Sequence, residues 1–250
     1  MQLSQIARIT LVTMRKFCIV VFIAIGAHAS YAQEFGLSFS YFIPRNGDFS
    51  TPISPFSFRG VGVNVGRFMA LETGITLYRM SGLSMKDLPF EAKHSMVGPN
   101  FTFFVPGELV FQIPARNFEF DIKGGGFVFY GLNQKLNYGN LDRALRTMEG
   151  WDVVNSDFSF RNGPGYGIHG GVELNVNVTR QFGVSLEVNY LMGASALPLK
   201  GTYTGGKVGG PNQTKNADYS EAKVDFTGLE VSIGVFMRSG SGPARAKKRR

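Results

Sequence analysis

The chain has 250 residues and a formal net charge of +8, and only 18% of its residues are charged, fewer than in most soluble proteins. The excess charge lies at the two ends, because residues 1–32 contribute +3 and residues 239–250 contribute +5. Residues 33–238 are therefore neutral overall, so the charge gives no reason to expect nucleic acid as a partner. The length suits a single β-barrel domain, and outside the N-terminal segment no apolar run is long enough for a transmembrane helix.

Residues 1–32 have the pattern of a secretory signal peptide. A basic pair precedes the apolar stretch at 17–25, and a small-residue cleavage site precedes Gln33. Met14 is an alternative start, because a complete signal follows it. Cys18, the only cysteine, lies in this segment, so the secreted chain is expected to have no disulfide and no cysteine ligand for a metal.

Apolar residues recur at every second position in eight stretches of residues 33–238, which is the period of a β-strand. The stretches are 35–43, 61–65, 71–77, 97–113, 118–130, 172–178, 184–190 and 229–237. Pro99 and the pair Pro106-Gly107 interrupt the fourth stretch, and they predict β-bulges there.

The connections between these stretches alternate between short and long. Three connections contain only about four residues each. They join the second stretch to the third, the fourth to the fifth, and the sixth to the seventh, and each has an arginine near a phenylalanine. The long connections are 44–58, 79–95, 131–163 and 193–223. An even number of strands with short turns at one end and long loops at the other is the pattern of an outer-membrane barrel.

The two faces of the predicted strands differ in a way that favours a membrane. One face is apolar and has aromatic residues near both ends, whereas the other holds glycine, serine, asparagine, threonine and carboxylates. Aromatic girdles at both ends of an apolar band are typical of membrane-spanning barrels. We therefore predict an all-β fold, an eight-stranded antiparallel transmembrane β-barrel over 33–238, with short periplasmic turns and four long outer loops. A soluble barrel with the apolar face inside is the alternative.

One stretch carries a family resemblance. GPNFTFFVPGELVFQIPARNFEFDIKGGGFVFYG, residues 98–131, is similar to the PorT-like outer membrane β-barrel families common in Bacteroidota, and the pattern over 35–237 resembles the small OmpA/OmpX-type barrels. The resemblance implies the outer membrane of a Gram-negative bacterium, with its lipid and the barrel-insertion machinery as partners. Such chains usually end on an aromatic residue, whereas here a basic tail, 239–250, follows Phe236 and is expected to be a disordered periplasmic segment.

The predicted lumen contains more carboxylates than cations. A barrel of eight strands is wide enough only for its own side chains, so these groups are expected to form a closed polar network. The predicted members are Glu72, Asp121, Lys123, His169, Glu173, Glu187 and Glu230. A narrow cation conduit is the alternative, because clustered like charges recruit a counter-ion.

The sequence offers little support for catalysis. His169 and Glu173 share one strand face but lie about 13 Å apart at the rise of a strand, and no serine is close to them. We predict no catalytic residue, no metal site and no cofactor. A lipid A-modifying barrel enzyme remains as the alternative.

The four long loops form the predicted outer surface, and the third is the most informative of them. Asn140 is expected to cap a short helix over 141–148, whose apolar side packs on the barrel rim. Trp151, the only tryptophan, either joins that packing or anchors an outer-surface partner. The fourth loop is expected to be mobile and solvated. The predicted function is a non-enzymatic surface-binding or envelope-structural role through the loops, with a component of a secretion assembly as an alternative.

Overall fold

The computed structural model describes most of the predicted barrel domain. The described residues are 34–48, 54–92, 94–179 and 181–238. The predicted signal peptide and the basic tail lie outside them.

Eight long strands form a closed antiparallel barrel. They are β1 (Glu34–Pro44), β2 (Ser54–Asn64), β3 (Met69–Met80), β4 (Asn100–Pro114), β5 (Phe118–Leu132), β6 (Gly165–Asn177), β7 (Phe182–Ala196) and β8 (Gly228–Arg238). Each strand pairs with its neighbours in sequence, and β1 pairs with β8 to close the sheet. Closure satisfies the backbone groups that an open edge would leave unpaired. The predicted eight-stranded antiparallel barrel is confirmed.

The predicted bulges in the fourth strand are wrong. Pro99 precedes β4, and the pairing of β4 with β5 continues through Pro106 without a shift of register. On the other side of β4, the pairing with β3 is interrupted opposite Pro106 and resumes in the same register. Because proline has no backbone N–H, a local gap in one ladder is enough to accommodate it.

The irregular strand is β2. It begins at Ser54, well before the predicted stretch at 61–65. Its register with β3 shifts between Phe58 and Val61, and its register with β1 also shifts. The shifts disturb the alternation of polar and apolar residues, which explains why the first part of the strand was predicted to be a loop.

The predicted assignment of the two strand faces is confirmed. On β7, for example, Leu186 is 48% exposed whereas Glu187 is 3% exposed. Large apolar side chains are exposed on every barrel strand and together form an apolar belt around the outside. The strands β4, β5 and β7 each contain 15 residues. At a rise of about 3.3 Å and a tilt of about 40°, such strands exceed the thickness of a hydrocarbon layer of about 30 Å.

The four long loops meet at one end of the barrel, where they fold into a cap. The third loop contains α1 (Tyr138–Glu149) and the strand Val153–Phe160. The fourth loop adds Leu199–Gly206 and Gln213–Tyr219, and these three strands form an antiparallel sheet. The fourth loop, which the sequence predicts to be mobile and solvated, thus contributes two paired strands to the cap.

Short strands tie the remaining loops into the cap. Gly47–Asp48 of the first loop pairs with Gly82–Leu83 of the second. Met85–Lys86 of the second loop pairs with Lys223–Asp225, which itself extends the barrel sheet from β7. All four loops are thus joined by backbone hydrogen bonds to another loop or to the barrel.

The helix α1 begins earlier than predicted. Its N-cap is Asn137, whose side-chain oxygen accepts a hydrogen bond from the backbone N–H of Asn140 at 3.3 Å. Asn140 lies in the first turn instead and donates its side-chain amide to the carbonyl of Ser95 at 2.8 Å. Leu141 and Leu145 are buried, as the predicted apolar side of the helix requires. No helix in the described part of the chain has the length and hydropathy needed to cross a membrane.

Candidate functional site

The polar residues of the lumen form two connected charge clusters inside the barrel. Arg59, on β2, is the centre of the first cluster. Its guanidinium donates to Glu187 at 3.1 Å and to Glu230 at 2.5 Å. Tyr78 also donates its hydroxyl to Glu230, and Asn189 donates to both carboxylates at 2.8 and 2.9 Å. The buried guanidinium is therefore neutralised by two carboxylates, and Asn189 hydrogen-bonds to both of them.

Lys123, on β5, is the centre of the second cluster. Its ammonium group lies 3.8 Å from Glu72 and Glu108 and 3.6 Å from Glu187, and it contacts Glu173 directly. Glu187 thus belongs to both clusters. Glu173 and Glu187 face each other across β6 and β7. Two like charges in this position repel each other, so Lys123 offsets a repulsion that the strand register creates.

Two of the predicted lumen residues lie at the margins of these clusters. Asp121 accepts a hydrogen bond from Asn175 at 2.8 Å, and its other oxygen has no hydrogen-bond partner. His169 is buried against the edges of the Phe104 and Phe127 rings, with its Nε2 atom 3.8 Å from Glu108. The structure therefore brings all seven predicted lumen residues into the barrel interior, and five of them belong to the two charge clusters.

Sequence reasoning missed Arg59 and Tyr78. Arg59 lies in the part of β2 that the register shifts conceal. Tyr78 shares its strand parity with Glu72 and Thr76, so the inward face of β3 could have indicated it. Glu108 lies on the inward face of β4, as the alternation of polar and apolar residues in that strand predicts.

An aromatic layer closes the barrel between the charge clusters and the cap. It is formed by Phe42, Tyr78, Phe104, Phe127, Phe129 and Phe226. Phe226 belongs to the fourth loop and stacks on Phe42 and Phe129, with ring centroids 4.7 and 4.4 Å away. All of these rings are at most 4% exposed. A layer of this kind leaves no continuous water-filled path at this level.

The cavity that remains on the other side of the charge clusters is small. Its volume is about 50 Å³, and its lining includes Asp121, Lys123, Glu173 and Asn175. Such a space holds a few water molecules at most. Within the described residues, no group of three or more histidine, cysteine or acidic side chains is arranged to hold a metal ion.

Trp151 lies in the cap and is packed, not freely exposed. Its ring is 5.9 Å from that of Tyr203, and the ammonium of Lys215 lies 5.2 Å above it. Lys215 also donates to Glu149 at 2.5 Å, and Tyr203 donates to the same carboxylate at 2.6 Å. The hydrogen bond from Lys215, supported by that from Tyr203, lowers the pKa of Glu149 below its ordinary value of 4.5. Burial, with the hydrogen bond to Glu149 as the next cause, raises the pKa of Tyr203.

The protein is thus a closed eight-stranded antiparallel barrel with an apolar outer belt, a plugged lumen and a folded cap. In this architecture it resembles outer-membrane barrels. Among solved structures, the chain is similar to Ail of Yersinia pestis, the attachment invasion locus protein, at 10% identity and a TM-score of 0.39, covering 82% of this chain and 95% of that chain. It is also similar to OprG of Pseudomonas aeruginosa, at 13% identity and a TM-score of 0.42, covering 84% and 97%. Outer membrane protein W of E. coli is similar at 14% identity and a TM-score of 0.38, covering 83% and 98%.

No protein-family model and no curated protein matches the chain. Its function is therefore inferred from its own geometry.

Proposed function

We propose that the protein is an integral outer-membrane barrel with a closed lumen, which presents its folded cap at the cell surface as a binding platform. The observation that carries this proposal is the continuity of packing from the lumen into the cap. One hydrophobic cluster extends from Phe104 and Phe127 inside the barrel, through Phe226, to Leu141 and Leu145 of α1. Loops that only connected the strands would not need a shared core.

The apolar belt supports the membrane location. Soluble monomers rarely expose contiguous apolar patches larger than a few hundred Å², whereas here every barrel strand contributes exposed apolar side chains. In water such a surface would aggregate, and in lipid it is the surface that the bilayer requires. The aromatic residues Phe118 and Phe182 at the short turns, and Tyr130 and Tyr190 towards the cap, lie where the two membrane interfaces are expected.

The plugged lumen favours a binding or structural role over a cation conduit. An ion passing through the barrel would have to displace the aromatic layer around Phe226 and then separate Lys123 from its carboxylates. Both layers are buried and packed, and the cations already neutralise part of the acidic charge. A conduit needs sites that an ion can enter and leave readily.

The position of His169 favours a non-enzymatic role over lipid modification. Its side chain is 1% exposed inside the barrel. A lipid head group at the outer surface of the barrel cannot reach it. The partner of the cap is then an outer-surface ligand or a protein of a secretion assembly, and in both cases the contact is made by the loops.

Single-cysteine labelling tests the proposal directly, because cleavage of the predicted signal would leave a chain without cysteine. Val208→Cys places a thiol in the cap, at a position that is 83% exposed, and Arg116→Cys places one in the short turn between β4 and β5. We expect a membrane-impermeant maleimide to label Val208→Cys on intact cells and Arg116→Cys only after lysis. Labelling of both variants on intact cells, or recovery of the protein in a soluble fraction, would contradict the proposed location.

A further inference from the structure

A groove lies between the second loop and α1 in the cap, and it is not part of the lumen. Its volume is about 460 Å³, within the usual range of small-molecule sites. The loop side includes Phe90, His94 and Met96, and the helix side includes Arg143 and Met148. The groove thus combines apolar surfaces with a small number of polar groups.

The helix side of the groove is a distinct face of α1. Four residues of this face line the groove, at spacings of three, one and three along the helix: Asn140, Arg143, Ala144 and Thr147. The buried Leu141 and Leu145 lie on the side that packs into the cap core. Met148 is 37% exposed. The apolar surface of the helix is therefore wider than the part that the core covers.

The walls of the groove are held in place without a ligand. Asn140 donates to the carbonyl of Ser95 at 2.8 Å, and Ser95 donates to Asp48 at 2.5 Å. The backbone N–H of Asn137 donates to the carbonyl of Met96 at 2.8 Å. Because the second loop is attached to both the first loop and the helix, binding would require little ordering of the chain.

The lining of the groove contains one arginine, Arg143, and one carboxylate, Glu91. Among the described residues, no carboxylate forms a salt bridge with Arg143, which is exposed at the groove wall. The acidic side chains of the same helix are already bound, Asp142 by Ser156 and Glu149 by Lys215. Glu91 also lines the groove but takes part in an interaction of its own. An arginine beside an apolar surface is suited to a carboxylate head on an apolar body.

We propose that this groove binds a small amphipathic carboxylate, with the anionic head at Arg143 and the apolar body over Met96, Ala144 and Met148. This inference rests on the proposed function, because it gives the cap a class of ligand. The charge pattern distinguishes such a ligand from a neutral or cationic molecule with the same apolar body. A groove volume of about 460 Å³ accommodates a single aromatic ring with a short acid chain.

The test uses the full-length protein in lipid nanodiscs with ¹³C-labelled methionine methyl groups. 3-Phenylpropanoate is the probe, and 3-phenylpropanol and 3-phenylpropylammonium are the uncharged and cationic controls. We expect the propanoate to shift the methyl signals of Met96 and Met148 in a saturable way. The signals of Met69 and Met237, which lie on the outer belt, report simple partitioning into lipid and should not follow the same curve.

The variant Arg143→Gln should weaken propanoate binding by about tenfold, because it removes a charge-assisted hydrogen bond. Arg146→Gln is the matched control on the same helix, since Arg146 donates to the carbonyl of Asp152 and does not line the groove. Equal binding of the alcohol, equal loss in both variants, or no response of Met96 and Met148 would overturn the inference. Labelling of Val208→Cys on intact cells separates this failure from failure of the proposed function.

Discussion

The ring of Phe226 stacks on the ring of Phe129, with centroids 4.4 Å apart and an angle of 23° between the ring planes. Phe129 points inward from β5, whereas Phe226 belongs to the loop before β8. The backbone N–H of Phe226 donates to the carbonyl of Gly193 on β7 at 3.0 Å, which fixes the loop at this point. This loop residue therefore completes the aromatic layer that closes the lumen and adds to the attachment of the cap to the barrel.

Replacing Phe226 by alanine is expected to destabilise the folded protein by about 3–5 kcal/mol, since it leaves a cavity in a layer of packed rings. Denaturant unfolding in lipid vesicles measures the change. Phe118→Ala is the control, because Phe118 is 48% exposed at a short turn. Similar losses in the two variants would mean that the aromatic layer does not hold the cap.

The closed lumen predicts an electrical result as well. The wild-type protein should show no steady cation conductance in planar bilayers, because the aromatic layer and the Lys123 cluster both block the passage. The recording should be made on protein that has first been shown to be folded by its heat-dependent gel mobility. A reproducible cation-selective current that disappears in Glu187→Gln would contradict the closed lumen and favour a conduit.

The Lys123 cluster predicts an asymmetry between its members. Lys123→Met leaves four carboxylates near one another without their shared cation, and breaking a buried ion pair in this way costs about 3–5 kcal/mol. Glu173→Gln should cost less, because Lys123 keeps its other three carboxylates. Unfolding free energies of the two variants measure the difference. A larger loss for Glu173→Gln would show that Lys123 is not the centre of this cluster.

A comparison of two exposed apolar residues, one on the belt and one in the cap, tests where the membrane ends. Leu186, on β7, is 48% exposed, and Val153, in the cap sheet, is 53% exposed. Leu186→Arg should cost about 2–4 kcal/mol if lipid surrounds it, as for arginine near the middle of a bilayer. Val153→Arg should cost much less, because water surrounds the outer face of the cap. Equal costs would place both residues in the same solvent and contradict the membrane boundary.

The barrel could be predicted from the sequence because each strand has an apolar face that points outward and a polar face that points into the lumen. Apolar and polar residues therefore alternate along the strand. The hairpin of β6 and β7 is an example, where Leu186 faces outward and Glu187 faces inward. Arg59 could not be predicted in this way. The register of β2 shifts between Phe58 and Val61, so the period of two that marks residues 61–65 does not continue to Arg59. A periodic signal can only be recognised where the pairing itself is regular.

The cap was harder to predict for a different reason. The strand Gln213–Tyr219 is polar along most of its length, and only Ala217 in it is buried. Its place in the sheet depends on Leu199–Gly206, which is followed by a glycine-rich turn that suggests a flexible loop. The ion pairs of the lumen were hard to predict for a similar reason. The contact between Lys123 and Glu187 is made by strands that are far apart in sequence, so the sequence alone does not give its distance.

The Glu149 cluster predicts how the cap responds to acid. The folded pKa of Glu149 is below its ordinary value of 4.5, because Lys215 and Tyr203 bind the ionised carboxylate. Folding therefore favours the ionised form, so the contribution of this group to stability is complete at neutral pH. This stabilising contribution decreases once the pH falls below about 4.5, where Glu149 of the unfolded chain takes up a proton while Glu149 of the folded protein is still ionised. It is lost completely when the pH falls through the lower pKa of the folded protein.

Trp151 reports this change, because it is the only tryptophan in the chain and Lys215 lies over its ring. On acidification below pH 4.5, protonation of Glu149 should release Lys215 and change the Trp151 emission. Glu149→Gln should remove that transition, and Glu221→Gln, which alters an exposed acid elsewhere in the cap, should keep it. An identical acid transition in wild type and Glu149→Gln would show that another group controls the surroundings of Trp151.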